Sequence, residues 1–151
     1  MVKKILFILI FIISFNQESF TANVKIKAFV DDQIITNIDI RKEAEYLKIL
    51  NPNLSQLEEV QIIELSKLSL INETIKKKEI LKFVDSEKIK NKFLDNYFKE
   101  LYIRLNYQNE KEFVNELNLK KTYSIKEIRN KINIELFWNE LIFNRYNKLI
   151  V

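Results

Sequence analysis

Aromatic side chains at helical spacing are the residues of this sequence best suited to chemistry, and that chemistry is non-covalent binding. Phe93, Tyr97, Phe98, Tyr102, Phe113, Phe137, Trp138, Phe143 and Tyr146 crowd the C-terminal half. Rings so spaced are mostly core, because each removes a large apolar area from water. Tyr97, Tyr102, Trp138 and Tyr146 are the candidates for a binding surface, since each joins an apolar body to a polar tip.

Catalysis lacks its usual residues. The chain has no histidine and no cysteine, which removes the common general bases, thiol nucleophiles and most transition-metal ligands. It also has no glycine, and phosphate-cradling loops depend on glycine for close backbone approach. Neighbouring carboxylates occur at Asp31-Asp32 and Glu58-Glu59. Adjacent residues on a helix diverge and turn carboxylates are solvated, so neither pair reads as an acid–base dyad. No serine stands in a nucleophile elbow or a Ser-x-x-Lys setting. The expectation is a chain with no catalytic, cofactor-binding or metal-ligating residues.

The elements that must position the aromatics can be read from periodicity. Val24, Ile26 and Ala28 alternate with Lys25, Lys27 and Phe29, as in a half-exposed strand, and Asp31-Asp32-Gln33 supply a turn. Thr36 or Asn37 can cap a helix carrying Ile38, Ile40, Ala44, Leu47 and Ile49 or Leu50, stopped at Asn51-Pro52-Asn53. Ser55 and Glu58 form a Ser-x-x-Glu capping signature. It precedes a long helix to about Phe83 with Leu57, Val60, Ile62 or Ile63, Leu68, Ile71, Ile75 and Ile80 along it. The lysine run 76–78 near its end reads as a solvated face that suits the helix dipole. Asp85 or Ser86 restarts the chain toward Ile89, Phe93, Tyr97, Leu101 and Leu105. Asn109 and Glu112 cap a short helix with Phe113, Val114 and Leu117, and Ser124 and Glu127 open a last one running almost to the end. The fold expected is mostly α, a short N-terminal β-hairpin followed by about five helices.

Compartment is set by the first residues. Lys3 and Lys4 precede the apolar run Ile5 to Phe15, then a polar stretch ending at Thr21-Ala22, the three-part layout of a secretory signal over residues 1–22. A run of that length falls short of the roughly 20 residues that cross a hydrocarbon core. The expectation is export to the periplasm, cleavage, and no stable membrane insertion afterwards. Removing Lys3, Lys4 and Glu18 leaves 23 basic against 20 acidic residues, too balanced to argue for nucleic acid. Residues 23–151 suffice for one domain, and without cysteine its stability must come from apolar burial.

The stretch Phe29-Val30-Asp31-Asp32-Gln33-Ile34-Ile35-Thr36-Asn37-Ile38-Asp39-Ile40 resembles the hairpin-to-helix opening of the SurA family's N-terminal domain. Leu68 to Ile75, Lys77 to Leu81 and Glu135 to Ile142 look like that domain's long second helix and its closing helix. The resemblance implies a periplasmic chaperone module that binds unfolded outer-membrane polypeptides, with no enzyme activity, metal or nucleotide of its own. Longer SurA-like proteins carry parvulin-type peptidylprolyl isomerase domains, whose sites use histidines and glycine-rich turns that this sequence lacks. The chain closes on the apolar Leu149-Ile150-Val151, so the expectation is a piece of a longer parent whose isomerase domain lies downstream. A structural helical adaptor for a folded periplasmic partner is the remaining alternative.

Overall fold

The computed structural model describes residues 23–83 and 93–147. The expected secretory signal, and the expected helix restart at Asp85, Ser86 and Ile89, lie outside these residues. Within them the chain is mostly helical, with a two-stranded antiparallel hairpin at its start and five α-helices after it, as the periodicity anticipates. Strands β1 (Ile26–Val30) and β2 (Gln33–Thr36) lead into α1 (Asn37–Leu50), a short 3-10 turn (Pro52–Gln56) and the long α2 (Glu59–Leu81). Helices α3 (Leu94–Arg104), α4 (Glu110–Leu119) and α5 (Ile125–Tyr146) complete the fold.

In the hairpin only Asp31 and Asp32 form the turn, because Gln33 already pairs with Val30. Asp31 takes the left-handed backbone, with φ of 52°, that an aspartate tolerates better than most residues. A register shift at Lys27 makes a bulge, so the simple alternation expected over residues 24–29 fails there, and Val24 and Ile26 are exposed. Thr36 is the cap of α1, its hydroxyl accepting from the Ile38 and Asp39 N–H groups while Asp39 reaches back to the Thr36 N–H at 2.8 Å. Asn37 ties the hairpin instead: its Oδ1 accepts from the Lys25 N–H at 2.7 Å and its Nδ2 donates to the Asn23 carbonyl at 3.0 Å.

Ser55 does not cap α2. Pro52 opens the 3-10 turn, which absorbs Ser55, and the helix starts behind Glu58, whose N–H donates to the Gln61 side chain at 3.1 Å. The expected apolar stripe of α2 is only partly buried. Ile62, Ser66 and Ile80 are covered, while Leu65, Leu68 and Ile75 face solvent, because the apolar residues of this helix are spread round it among polar ones and only one side meets α1 and α5. The lysine run 76–78 is not a free solvated face. Lys76 pairs with Glu135 of α5, and Lys78 with both turn aspartates and the Val30 carbonyl, so two of the three fasten other elements onto α2.

Helices α3 and α4 end without glycine in the same way. The Tyr107 N–H returns to the Tyr102 carbonyl and the Asn106 N–H to Ile103; the Thr122 N–H returns to Leu117 and the Lys121 N–H to Asn118. These paired bonds satisfy the last carbonyls of each helix and place Asn106 (φ 66°) and Lys121 (φ 51°) in the left-handed region. A central cluster then closes over the junction of four helices: Tyr46 and Ile49, Phe98 and Leu101, Phe113 and Leu117, with Tyr123 and Ile128. Arg129 pins the outside of this cluster, stacking on the Phe98 ring at 4.4 Å while pairing with Asp95 and Glu110.

Lys121 carries a Cβ where the backbone favours none. Lys121→Gly is expected to raise unfolding stability by about 0.5 to 1 kcal/mol, read from the denaturant midpoint; an unchanged or lower midpoint would show that the left-handed cap is not strained.

Candidate functional site

An open groove of about 410 Å³ runs between α1, α2, α3 and α5. Leu47, Leu50, Leu101, Leu105, Ile132 and Leu136 make its apolar lining, and Asn72, Lys76, Tyr97, Arg104, Glu135 and Asn139 surround them with polar groups. Each residue arrives from a helix face set by the three- and four-residue spacing of its own element. Lys76 is held by both oxygens of Glu135, at 2.8 and 2.7 Å. Arg104 has no carboxylate partner among the described residues.

One wall of the groove is a buried charge cluster. Glu43, on the same helical face as Ile40, Ala44 and Leu47, is 1% exposed. Its carboxylate accepts from Ser69 Oγ at 2.6 Å and from the Tyr123 hydroxyl at 2.8 Å, and lies 3.0 Å from Lys131 Nζ. Lys131 also pairs with Glu73 and sits over two tyrosine rings, 4.7 Å from the centroid of Tyr123 and 5.7 Å from that of Tyr46. The two rings meet edge to face, 5.5 Å apart. Every polar atom of Glu43 is thus answered, the condition under which a buried carboxylate is tolerated. Burial first, and the Glu43 carboxylate second, push the Tyr46 and Tyr123 phenols well above the ordinary tyrosine range.

A second cavity of about 500 Å³ lies on the other side, beneath the hairpin, and Glu73 and Lys131 line both spaces. Its remaining lining is more polar, with Asp39, Glu127, Lys77, Lys78 and Asn130. Burial works against the charged form of Glu127, yet the Ser124 hydrogen bonds and Lys42 beside it hold the carboxyl below the usual range.

Of the four aromatic residues singled out by the sequence, only Tyr97 lines the groove, at 49% exposed. Tyr102 leans against the central cluster, its ring edge-on to Phe98 at 5.8 Å. Trp138 is half-buried on α5, and Tyr146, at the end of that helix, is exposed. The structure does not gather the four on one surface. The residues that sequence reasoning missed are Glu43, Tyr46, Glu73, Tyr123 and Lys131. A signal for the first was present, because Ile40, Glu43, Ala44 and Leu47 fall at one helical face and a carboxylate there needs a partner.

Among the described residues no group of three or more acidic side chains is arranged to hold a metal ion, and no helix is long and apolar enough to cross a membrane. No family model, curated protein or solved structure matches this chain.

Two outcomes follow from the cluster. Lys131→Met leaves the Glu43 charge buried without its cation and is expected to cost about 3 to 5 kcal/mol in chemical unfolding, whereas Glu43→Leu with Lys131→Met costs less than the sum of the two single changes; strict additivity would mean that the pair is not coupled. The tyrosines give the pH dependence. Unfolded phenols ionise near pH 10 while those of Tyr46 and Tyr123 stay protonated in the fold, so this contribution is intact below about pH 10 and is lost as pH rises. Alkaline absorbance titration should show these two ionising together with loss of helical circular dichroism, each Phe substitution removing one phenolate from that step. Full tyrosine ionisation with the helices intact would contradict it.

Proposed function

We propose that this chain is a chaperone module of the SurA type, which holds unfolded outer-membrane polypeptides in the periplasm and keeps them from aggregating. The observation that carries the reading is the groove: an apolar channel, polar at its margins, in a chain whose sequence offers no histidine, cysteine or glycine for catalysis. A surface that must accept many sequences needs burial for side chains without a fixed pattern of buried hydrogen-bond partners. Here the floor is aliphatic and the charged groups of the wall are mostly committed to each other. The leader-like residues 1–22 and the resemblance of residues 29–40 support the compartment and the client class.

Tyr97 is the first-contact aromatic in this reading, presenting its ring at the groove margin. Tyr102, Trp138 and Tyr146 lie outside the groove lining and contribute less. The groove is wide enough to take one or two client side chains at a time, which gives weak, renewable binding and leaves the client free to fold when it is delivered. Any prolyl isomerase activity of a longer parent would reside in other residues than these.

The test is suppression of aggregation of a denatured β-barrel protein diluted from urea, followed by light scattering. The full chain at a fewfold molar excess is expected to slow aggregation, and Tyr97→Ala is expected to weaken client binding roughly fivefold to thirtyfold, equivalent to about 1 to 2 kcal/mol, with Tyr146→Ala close to wild type. No suppression at any excess, with helicity intact, would overturn the reading.

A further inference from the structure

The hairpin presents an edge that the groove reading does not use. It is a two-stranded sheet, so each strand has one side without a strand neighbour. Val30 and Gln33 flank the two-residue turn and form its hydrogen-bonded pair; the next pair, Phe29 and Ile34, is therefore the non-bonded one, with N–H and C=O groups directed away from the partner strand. Both side chains of that pair are apolar and mostly in water, Phe29 at 66% and Ile34 at 53% exposed. A solvent-facing apolar pair beside outward backbone donors and acceptors is the template that strand addition uses.

The edge is also held firm. Lys78 grips Asp31, Asp32 and the Val30 carbonyl at one end, Asn37 fixes Asn23 and Lys25 at the other, and buried Ile35 anchors the underside. Ordering it costs an incoming strand little beyond that strand's own entropy. Charge selects the occupant. Lys27 on β1 and Lys25 just before it are exposed and have no carboxylate partner among the described residues. A second copy of this segment would bring four such lysines to one small edge, which like-charge repulsion disfavours, whereas acidic residues on an added strand would be paired.

We propose that β1 takes up, by strand addition, an extended stretch of unfolded client polypeptide in which apolar and acidic residues alternate. The site rests on the hairpin alone; that the strand comes from an unfolded client rests on the chaperone reading. Main-chain bonds supply affinity whatever the sequence, Phe29 and Ile34 cover the apolar side, and the two lysines favour acidic partners.

The probe is a fluorescent ten-residue peptide alternating valine and glutamate, titrated into the full chain by anisotropy at low salt, beside the same peptide N-methylated at alternate residues. Binding of the first and at least tenfold weaker binding of the second is the expected result. Lys25→Glu with Lys27→Glu, and separately Phe29→Pro, which removes the outward N–H, should each weaken binding tenfold or more while helical circular dichroism is retained. Equal binding of both peptides, no effect of the charge reversal, or a wild-type chain that self-associates through this edge in sedimentation would each overturn the proposal. Run beside the light-scattering assay, peptide binding without suppression of aggregation would uphold the edge and remove the chaperone reading, and suppression without peptide binding would do the reverse.

Discussion

The carboxylate of Glu43 is the constraint around which the other elements are arranged. It lies on α1, yet its partners come from α2 (Ser69), from the residue pair before α5 (Tyr123) and from α5 itself (Lys131). A charge removed from water without these partners would cost several kcal/mol, so the three segments must meet at one place and in one register. Apolar packing alone could not have imposed that. The apolar side chains of α2 are scattered round the helix among charged and polar ones, and several rotations about its axis would bury a similar apolar area. Ser69 and Glu73, which must face Glu43 and Lys131, select one of them, and Leu65, Leu68 and Ile75 are left outside as the consequence.

The same cluster shapes the space available for binding. Glu73 and Lys131 line both the aliphatic groove and the polar cavity beneath the hairpin, so one ion pair separates two environments of different character. The charges that border the groove are mostly answered within the protein, as Lys76 by Glu135 and Lys131 by Glu43 and Glu73. What the groove offers a guest is therefore chiefly surface to bury against, with Tyr97 and Arg104 at its margin. Such a site discriminates weakly between sequences, and weak discrimination is what a holder of many unfolded chains requires.

Local features were legible in the sequence because local physics decides them. The caps at Asn109 and Ser124, and Thr36 as one of two candidates, lie where their side-chain oxygens meet the orphan N–H groups of the first turn, and Phe113, Leu117 and Ile128 are buried as their spacing indicates. Ser55 misled, since Pro52 starts a competing 3-10 turn that consumes it. The buried face of α2 was illegible because its apolar residues are scattered among polar ones and form no dominant stripe, so no side is preferred until its polar partners are known. The groove was hidden for a related reason: Leu47, Tyr97, Leu105 and Leu136 are separated by long stretches of chain, and only the packing of four helices brings them together. Aromatic residue type alone could not tell Tyr97, at the groove, from Tyr102, leaning on the core.

The account stands on the groove being the place where an unfolded chain is held. Amide hydrogen exchange of the full chain, measured with and without a saturating denatured β-barrel protein, tests this most directly. Slowed exchange in the groove-lining parts of α1, α2, α3 and α5, with the α4 amides unchanged, is the result the account predicts. Client binding that leaves those segments unprotected, or a complete absence of protection under saturating client, would contradict it.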